Sequence, residues 1–436
     1  MTSAEDAARS GDVVRDPSGE ALAAARTVGP GVPVLAFDVG GTDIKSALFD
    51  ADGTALGLRR TPTPVADGDR TAVLIERLGE LAVQLQADHP DVIPRAAGLV
   101  VPGIVDADAG LGVFASNLGW KNSPLRDLAA VRALGPGAPV LAFDVGGTDI
   151  KSALFDANGT ALGLRRTPTP TAEGDRTAVL IERLGVLAAE LRADHPDVVP
   201  QAVGLVVPGI VDADAGIGVF ASNLGWHDSP IRDLASARLG LPVAFDHDVR
   251  AASWAEHRLG GARDYSDAVV LVIGTGIAGA LLVGGEPYTA GGYAGEIGHS
   301  PIADGPVCAC GARGCLEAVA SAGAIARRYR DATGVTPEGA KDVIARAAAG
   351  DEAAAEIWSS ALDALAMSLA QLTAVVAPQA VVIGGGLSRA GGALFDGLRA
   401  RLEARLSFHR LPVLVPAELS GNAGLIGAAL RARELA

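Results

Sequence analysis

Three groups of residues in this chain have the types and spacing for chemistry. The first is an acidic tip. An apolar run at 241–245 ends in Asp246-His247-Asp248 and gives way to a helical pattern expected from Ala251. In an open α/β sheet, an acid at the C-terminal tip of a strand lies where ligands bind. Asp248 there can accept a proton from a hydroxyl that attacks phosphorus; either acid, taken alone, also suits a helix cap. The second group is a set of soft ligands. All three cysteines, Cys308, Cys310 and Cys315, fall within eight residues, and His299 stands nine residues before the first. Three thiolates and an imidazole suit tetrahedral Zn²⁺, and with four places filled the metal is structural, a staple for a glycine-rich loop. Glu296 shares a helical face with His299. Together they can grip the hydroxyls of a polyol, or act only as an N-cap and a metal ligand. The third group is glycine beside acid: Asp144-Val-Gly146-Gly147-Thr148, followed by Lys151. Backbone N–H groups of such a turn can approach an anion, and the acid can hold a hydrated Mg²⁺; a plain turn reads the same way. Asn223, close to Trp226, offers an amide to sugar hydroxyls, or belongs to a turn over a core tryptophan.

The elements that must position these residues follow from hydrophobic periodicity. The apolar runs on either side of Gly146-Gly147-Thr148 make a strand–turn–strand hairpin, and 161–166 reads as a third strand. Leu180, Leu184, Leu187 and Leu191 lie on one face of a helix with Asp175 as N-cap and Pro196 as stop. Residues 203–207 make a buried strand, giving the order β-β-β-α-β. Downstream, the strand 268–273 leads to Gly274-Thr275-Gly276, literally part of a G-x-G-x-x-G fingerprint. That fingerprint must open a helix, whereas here another strand follows, so this is a second glycine hairpin. Two such hairpins imply two lobes of similar build with a nucleotide between them. A long helix at 352–377, a strand at 380–383 ending in Gly384-Gly385-Gly386, and a glycine-led helix from Gly421 complete the chain.

The first hairpin occurs twice. Residues 34–132 repeat as 140–238 at an offset of 106, with mild differences such as Ile93 against Val199 and Leu111 against Ile217. Apolar swaps of similar size keep a fold. The earlier copy runs into a Pro/Gly stretch at 135–139 instead of the strand that ends in acids, so only 138–436 reads as a complete unit. The expected organisation is a mobile tail at 1–32, a duplicated partial lobe at 33–137, an N-terminal lobe at 138–250, and a C-terminal lobe with the stapled loop at 251–436.

The chain's 436 residues leave room for two or three domains. A hydrophobic share of 49% with only 4% aromatics implies aliphatic cores. The net charge of −15 argues against nucleic acid or an anionic membrane as partner. No apolar run is long enough to span a bilayer, no signal-peptide core is visible, and the few cysteines fit a reducing cytoplasm.

Taken in order, Asp144-Val-Gly-Gly-Thr148 with Lys151, Val207-Pro-Gly-Ile-Val-Asp212, Asn223-Leu-Gly-Trp226, the tip at Asp248, Ile273-Gly-Thr-Gly276, Glu296-Ile-Gly-His299, the Cys-x-Cys-x4-Cys run with Leu316-Glu317, and Ile383-Gly-Gly-Gly386 resemble the repressor/ORF/kinase (ROK) family of bacterial sugar kinases, its glucokinases above all. The resemblance spans 138–436 in full and 33–132 as a partial copy. It implies an α/β, actin-like ATPase (ribonuclease H-like) fold of two lobes, here preceded by the duplicated partial lobe. It also implies ATP-dependent phosphorylation of a hexose 6-hydroxyl in glycolysis or related carbohydrate metabolism. Asp248 would be the general base; Gly209, Asn223, His247, Glu296, His299 and Glu317 would contact sugar. Asp144, Gly146, Gly147, Thr148, Lys151, Gly274, Thr275, Gly276, Gly384, Gly385 and Gly386 would hold ATP with Mg²⁺, and His299, Cys308, Cys310 and Cys315 a structural Zn²⁺. A homodimer follows by analogy. An N-acetylhexosamine kinase and a non-catalytic sugar-binding or repressor protein are the alternatives; a family repressor carries an N-terminal winged helix-turn-helix, where this chain has a short tail and a copied half-lobe. Two departures stand out: His247 occupies a place where the family often has an amide, and Ala278 a place that is usually glycine.

Overall fold

The computed structural model describes residues 31–64, 70–94, 96–102, 104–106, 111–115, 120–123, 134–171, 174–221, 224–302 and 305–436. Contacts divide the chain into two compact units, one running to residue 129 and the other from residue 130. The first unit contains the hairpin β1 (Val34–Val39) and β2 (Asp43–Phe49), then β3 (Ala55–Pro62), helix α1 (Arg70–Asp88) and β4 (Ala96–Val100). These strands pair in the order β3-β2-β1-β4, with only β1 and β4 parallel. Three short strands, β5 (Ile104–Asp106), β6 (Leu111–Ala115) and β7 (Trp120–Ser123), form a second sheet. Leucines 74, 78, 81 and 85 of α1, spaced along one helical face, pack on Leu35, Phe37 and Val39 of β1. The opposite face of the sheet is open: Asp38 is exposed, Val34 and Ala36 are half-buried, and Val100 is 66% exposed.

The second unit repeats this plan and completes it. β8 (Val140–Val145), β9 (Asp149–Phe155), β10 (Ala161–Pro168), α2 (Arg176–Asp194) and β11 (Ala202–Val207) match the first copy. The Asp175 side chain accepts the Ala178 N–H at 3.0 Å, capping α2, whose leucines 180, 184, 187 and 191 are buried as their spacing predicts. After the small sheet β12 (Ile210–Asp212), β13 (Ile217–Ala221) and β14 (Trp226–Ser229) come α3 (Ile231–Leu239) and β15 (Val243–His247). β15 pairs parallel with β11, so the sheet runs β10-β9-β8-β11-β15. Helix α4 (Asp248–Leu259) follows directly, three residues earlier than the sequence suggests, because the His247 side chain caps it.

Next come β16 (Ala268–Ile273), β17 (Ile277–Val283) and β18 (Glu286–Pro287), helices α5 (Leu316–Ala320), α6 (Ala322–Thr333), α7 (Ala340–Ala348) and α8 (Glu352–Val376), β19 (Ala380–Gly384), α9 (Gly392–Arg405), β20 (Val413–Pro416) and α10 (Ala423–Arg433). This sheet runs β18-β17-β16-β19-β20, with β16, β19 and β20 parallel. An antiparallel hairpin extended by parallel strands thus appears in both lobes, which is the actin-like ATPase fold. Helix α8 is long and apolar enough to cross a bilayer, contrary to the sequence expectation of no such run. Its Ile357, Leu362, Leu365 and Leu369 are instead buried in the core of this lobe, against β16, β19 and α9.

Helix α10 packs on the sheet of the other lobe. Its small residues let it lie almost in backbone contact: a Cβ placed on Gly204 of β11 would come 1.9 Å from the Ala428 carbonyl oxygen. Alanines of α4 and α10 join Val140, Ala142 and Val206 in one cluster. The equivalent Gly98 in the first unit meets nothing nearer than 4.0 Å. The two copies repeat a sheet plan but, among the described residues, not its cover.

Candidate functional site

The acidic tip sorts its three side chains by strand alternation and by the helix that follows. Asp246 turns inward and is structural. Its Oδ1 accepts the His247 N–H at 2.7 Å and the Arg250 Nε–H at 2.8 Å. Arg250, 2% exposed, also donates to the Val211 carbonyl at 3.1 Å, tying β15, α4 and β12 together. Asp246 is thus neither the helix cap nor a free ligand. Capping falls to His247, whose Nδ1 accepts the Arg250 N–H at 3.4 Å. Its Nε2 stands 3.2 Å from Asp248 Oδ1. Burial, then the Arg250 charge, push the imidazole down to about 4, against the pull of Glu296 and Asp246. His247 is therefore neutral at pH 7.

Asp248 is the first residue of α4, its side chain 26% exposed, and its Oδ1 accepts the Val249 N–H at 2.7 Å. Burial, then the charge of Asp144, push its carboxyl up to about 7; the Val249 N–H, Lys151 and Arg250 oppose the shift. A carboxylate poised near neutrality suits a general base.

Asp144 stands at the end of β8 and pairs with Lys151 across the hairpin at 3.0 Å. The turn is braced by Thr169, whose hydroxyl donates to the Gly146 carbonyl at 2.7 Å. Among the described residues, Gly147, Thr148 and Thr275 give their N–H groups to no backbone acceptor, and a Cβ on Gly274 or Gly386 would meet nothing within 4 Å. Both hairpin tips, and the turn after β19, therefore fit an approaching polyphosphate. The first-unit dyad, Asp38 with Lys45 at 3.3 Å, lies in water: Asp38's side chain is 56% exposed where Asp144's is 10%.

Residues 297–299 form a short 3₁₀ turn in which the His299 Nε2 lies 4.0 Å from Glu296 Oε2. The other ring nitrogen, Nδ1, is 3.6 Å from Cys308 Sγ, and Cys310 Sγ is 3.7 Å from Cys315 Sγ. The four ligand atoms lie within 4.8 Å of one another. With Zn–S near 2.3 Å, a tetrahedral ion requires S···S of about 3.8 Å and S···N of about 3.6 Å. The residues fit zinc, and Glu296 lies on the side of the ring that an ion on Nδ1 would leave free.

The remaining expected residues fall as follows. Glu317, at the start of α5, reaches the second hairpin, where its Oε2 accepts the Ile277 N–H at 2.8 Å. Gly209 has φ of 101° and would place a Cβ 2.3 Å from the Phe220 carbonyl oxygen, so only glycine fits between β11 and β12. Gly385 closes on Ile273 at the turn after β19. Asn223 lies outside the described residues. Sequence inspection passed over Arg250; its four-residue spacing from Asp246 was the available signal.

Comparison with known proteins is consistent with this geometry. A model of the ROK family matches residues 34–132 and again 140–434. A glucokinase of Streptomyces coelicolor is 30% identical over 312 residues, covering 67% of this chain and 96% of its own length. An N-acetylmannosamine kinase of Escherichia coli is 35% identical over 301 residues, with 67% and 98% covered. A solved structure of a ROK family glucokinase from Streptomyces griseus, in complex with glucose and AMPPNP, superposes with a TM-score of 0.59 at 28% identity, covering 68% of this chain and 100% of its own.

Proposed function

The chain belongs to the ROK family, and on that premise we propose that it is an ATP-dependent sugar kinase that phosphorylates the 6-hydroxyl of a hexose, with glucose the favoured substrate. The observation that carries this reading is Asp248: a half-buried carboxylate at a strand tip, raised to about 7, beside Asp144 and the first glycine hairpin. In this reading Asp248 removes the proton from the attacking hydroxyl as the oxygen closes on phosphorus. Bound ATP with Mg²⁺ supplies the phosphoryl group. The N–H groups of Gly147, Thr148 and Thr275, with the open backbone at Gly274 and Gly386, hold the polyphosphate; Gly146, Gly276, Gly384 and Gly385 shape the turns that present them. Asp144 would hold the Mg²⁺ of the nucleotide, and Lys151 pairs with that carboxylate at 3.0 Å. Glu296, His299, Gly209 and Glu317 line the sugar side, where hydroxyls meet fixed acceptors. Zinc on His299, Cys308, Cys310 and Cys315 would fix the orientation of His299 and so of its contact with Glu296.

The 35% identity to an N-acetylmannosamine kinase supports a second reading of the substrate. ADP release measured with glucose, mannose, fructose, N-acetylglucosamine and N-acetylmannosamine separates the two. Highest kcat/KM with glucose is expected. Preference for an N-acetyl sugar would move the assignment to the second reading, and no sugar-dependent release at all would remove the kinase. We assign the activity to 138–436 and treat 33–137 as inert, since no counterpart of Asp248, the second hairpin or the cysteine cluster follows the first copy.

A further inference from the structure

We propose that Glu256 is a positioning residue: its buried side chain pins α4, which carries Asp248, to the start of α10, which lies against Asp144, and so sets the base against the carboxylate that would hold the cation. This rests on the kinase reading above and adds to it the part that fixes the two acids relative to each other. Glu256 stands about two turns beyond Asp248 on α4 and is 1% exposed. Both of its oxygens are used. Oε1 accepts the Leu419 N–H at 2.8 Å, and Oε2 accepts the Gly261 N–H at 2.7 Å and the Glu418 N–H at 3.1 Å. The donors come from two separate stretches, the turn after α4 and the segment between β20 and α10. Gly260 leaves the room for this: a Cβ there would stand 2.0 Å from Oε2.

Helix stability does not account for a carboxyl at this place. An acid in the last turn of a helix opposes the dipole, and burying one costs free energy unless donors replace water. Among the described residues no cation pairs with it; Arg250 and Arg263 pair with Asp246 and Glu418 instead. What this side chain has, and an apolar one of its size lacks, is acceptors for three N–H groups from two stretches. Those bonds set where α10 begins. Leu419 and Ala423 share one buried cluster with Ala251, Ala252 and Ala255 of α4. From that start, Gly427 lies against α4, where a Cβ would come 2.1 Å from the Ala251 carbonyl oxygen. Gly424 lies against Asp144, where a Cβ would come 2.9 Å from Oδ2. Neither contact leaves slack, so a shift of α10 along α4 is passed to Asp144 while Asp248 stays with α4.

Two measurements on the full chain test the proposal. The first is amide hydrogen exchange at Gly261, Glu418 and Leu419. All three should be protected in the wild type. Glu256→Gln turns a donor toward these N–H groups and should cost one or more of them its protection. Wild-type amides that exchange as fast as those of an open loop, or protection unchanged in Glu256→Gln, would overturn the proposal whether or not the protein is a kinase. The second is sugar-dependent ADP release against Mg²⁺ concentration for the wild type, Glu256→Gln and Gly260→Ala, the last displacing the carboxyl without removing it. Misplaced reacting groups cost turnover: kcat should fall about tenfold or more and half-activation should need more Mg²⁺, with the sugar KM within about twofold of the wild type. A lower melting temperature with kcat and Mg²⁺ dependence unchanged would make Glu256 structural alone and overturn the proposal. A wild type with no sugar-dependent release would remove the kinase reading instead, and the exchange result then decides whether the pin exists.

Discussion

At the scale of single residues, Asp248 makes two predictions of opposite sign in pH. As a base it works only when ionised, so kcat/KM should rise with pH through about 7. Its effect on stability runs the other way. A carboxyl raised in the folded state contributes its full stability below its unfolded pKa near 4 and loses it as pH rises through about 7. Asp248→Asn stays neutral, so it should melt several degrees above the wild type at pH 8 and level with it at pH 4. Chemical or thermal melts at both values check this; equal melting at pH 8 would contradict the burial of the carboxylate. Asp144 and Asp248 were legible in the sequence because each ends an apolar run, one at a glycine turn and one at a helix start. The buried Asp246–Arg250 pair was not, because a guanidinium 2% exposed has the same letter as one in water. The role of His247 was equally hidden, since a cap's contacts depend on where the helix begins, and that boundary was misplaced by three residues.

Secondary-structure elements with strict periodicity were read well: both glycine hairpins, α2 and α8 lie where alternation and 3.6-residue spacing put them. The small sheet β12–β14 escaped notice because strands of three to five residues show too little alternation. Helix α10 was visible as a glycine-led helix, yet its seat on β11 was not, because small residues announce a close approach without naming the partner. That seat gives a paired prediction. Gly204→Ala drives a Cβ into the Ala428 carbonyl and should cost about 3 kcal/mol or more, whereas Gly98→Ala should change stability by less than about 0.5 kcal/mol. Equal effects in denaturant melts would mean that the two sheets are covered alike. The cysteine loop supplies another test. A strong chelator should release zinc, lower the melting temperature and weaken sugar binding, because the His299 Nε2 faces Glu296 once Nδ1 is held. Metal analysis with calorimetric sugar titration reads both effects; sugar binding indifferent to zinc would separate the staple from the site.

For the whole molecule, the duplication was plain from letters alone, but its structural meaning was not. Identical strands at 34–39 and 140–145 are half-exposed in one unit and fully buried in the other, because α4 and α10 cover the second and, among the described residues, no helix covers that face of the first. A chain reduced to residues 130–436 should therefore keep the full chain's turnover to within about twofold, while 1–129 alone should have none; loss of activity in the longer piece would give the first copy a catalytic part. The central claim, that one carboxylate in the second unit takes the proton in phosphoryl transfer to a sugar, is tested most directly by sugar-dependent ADP release from the full chain carrying Asp248→Asn, with sugar binding measured on the same sample. The expected result is a fall in kcat of at least about a thousandfold with sugar affinity largely retained. Turnover within tenfold of the wild type would contradict it.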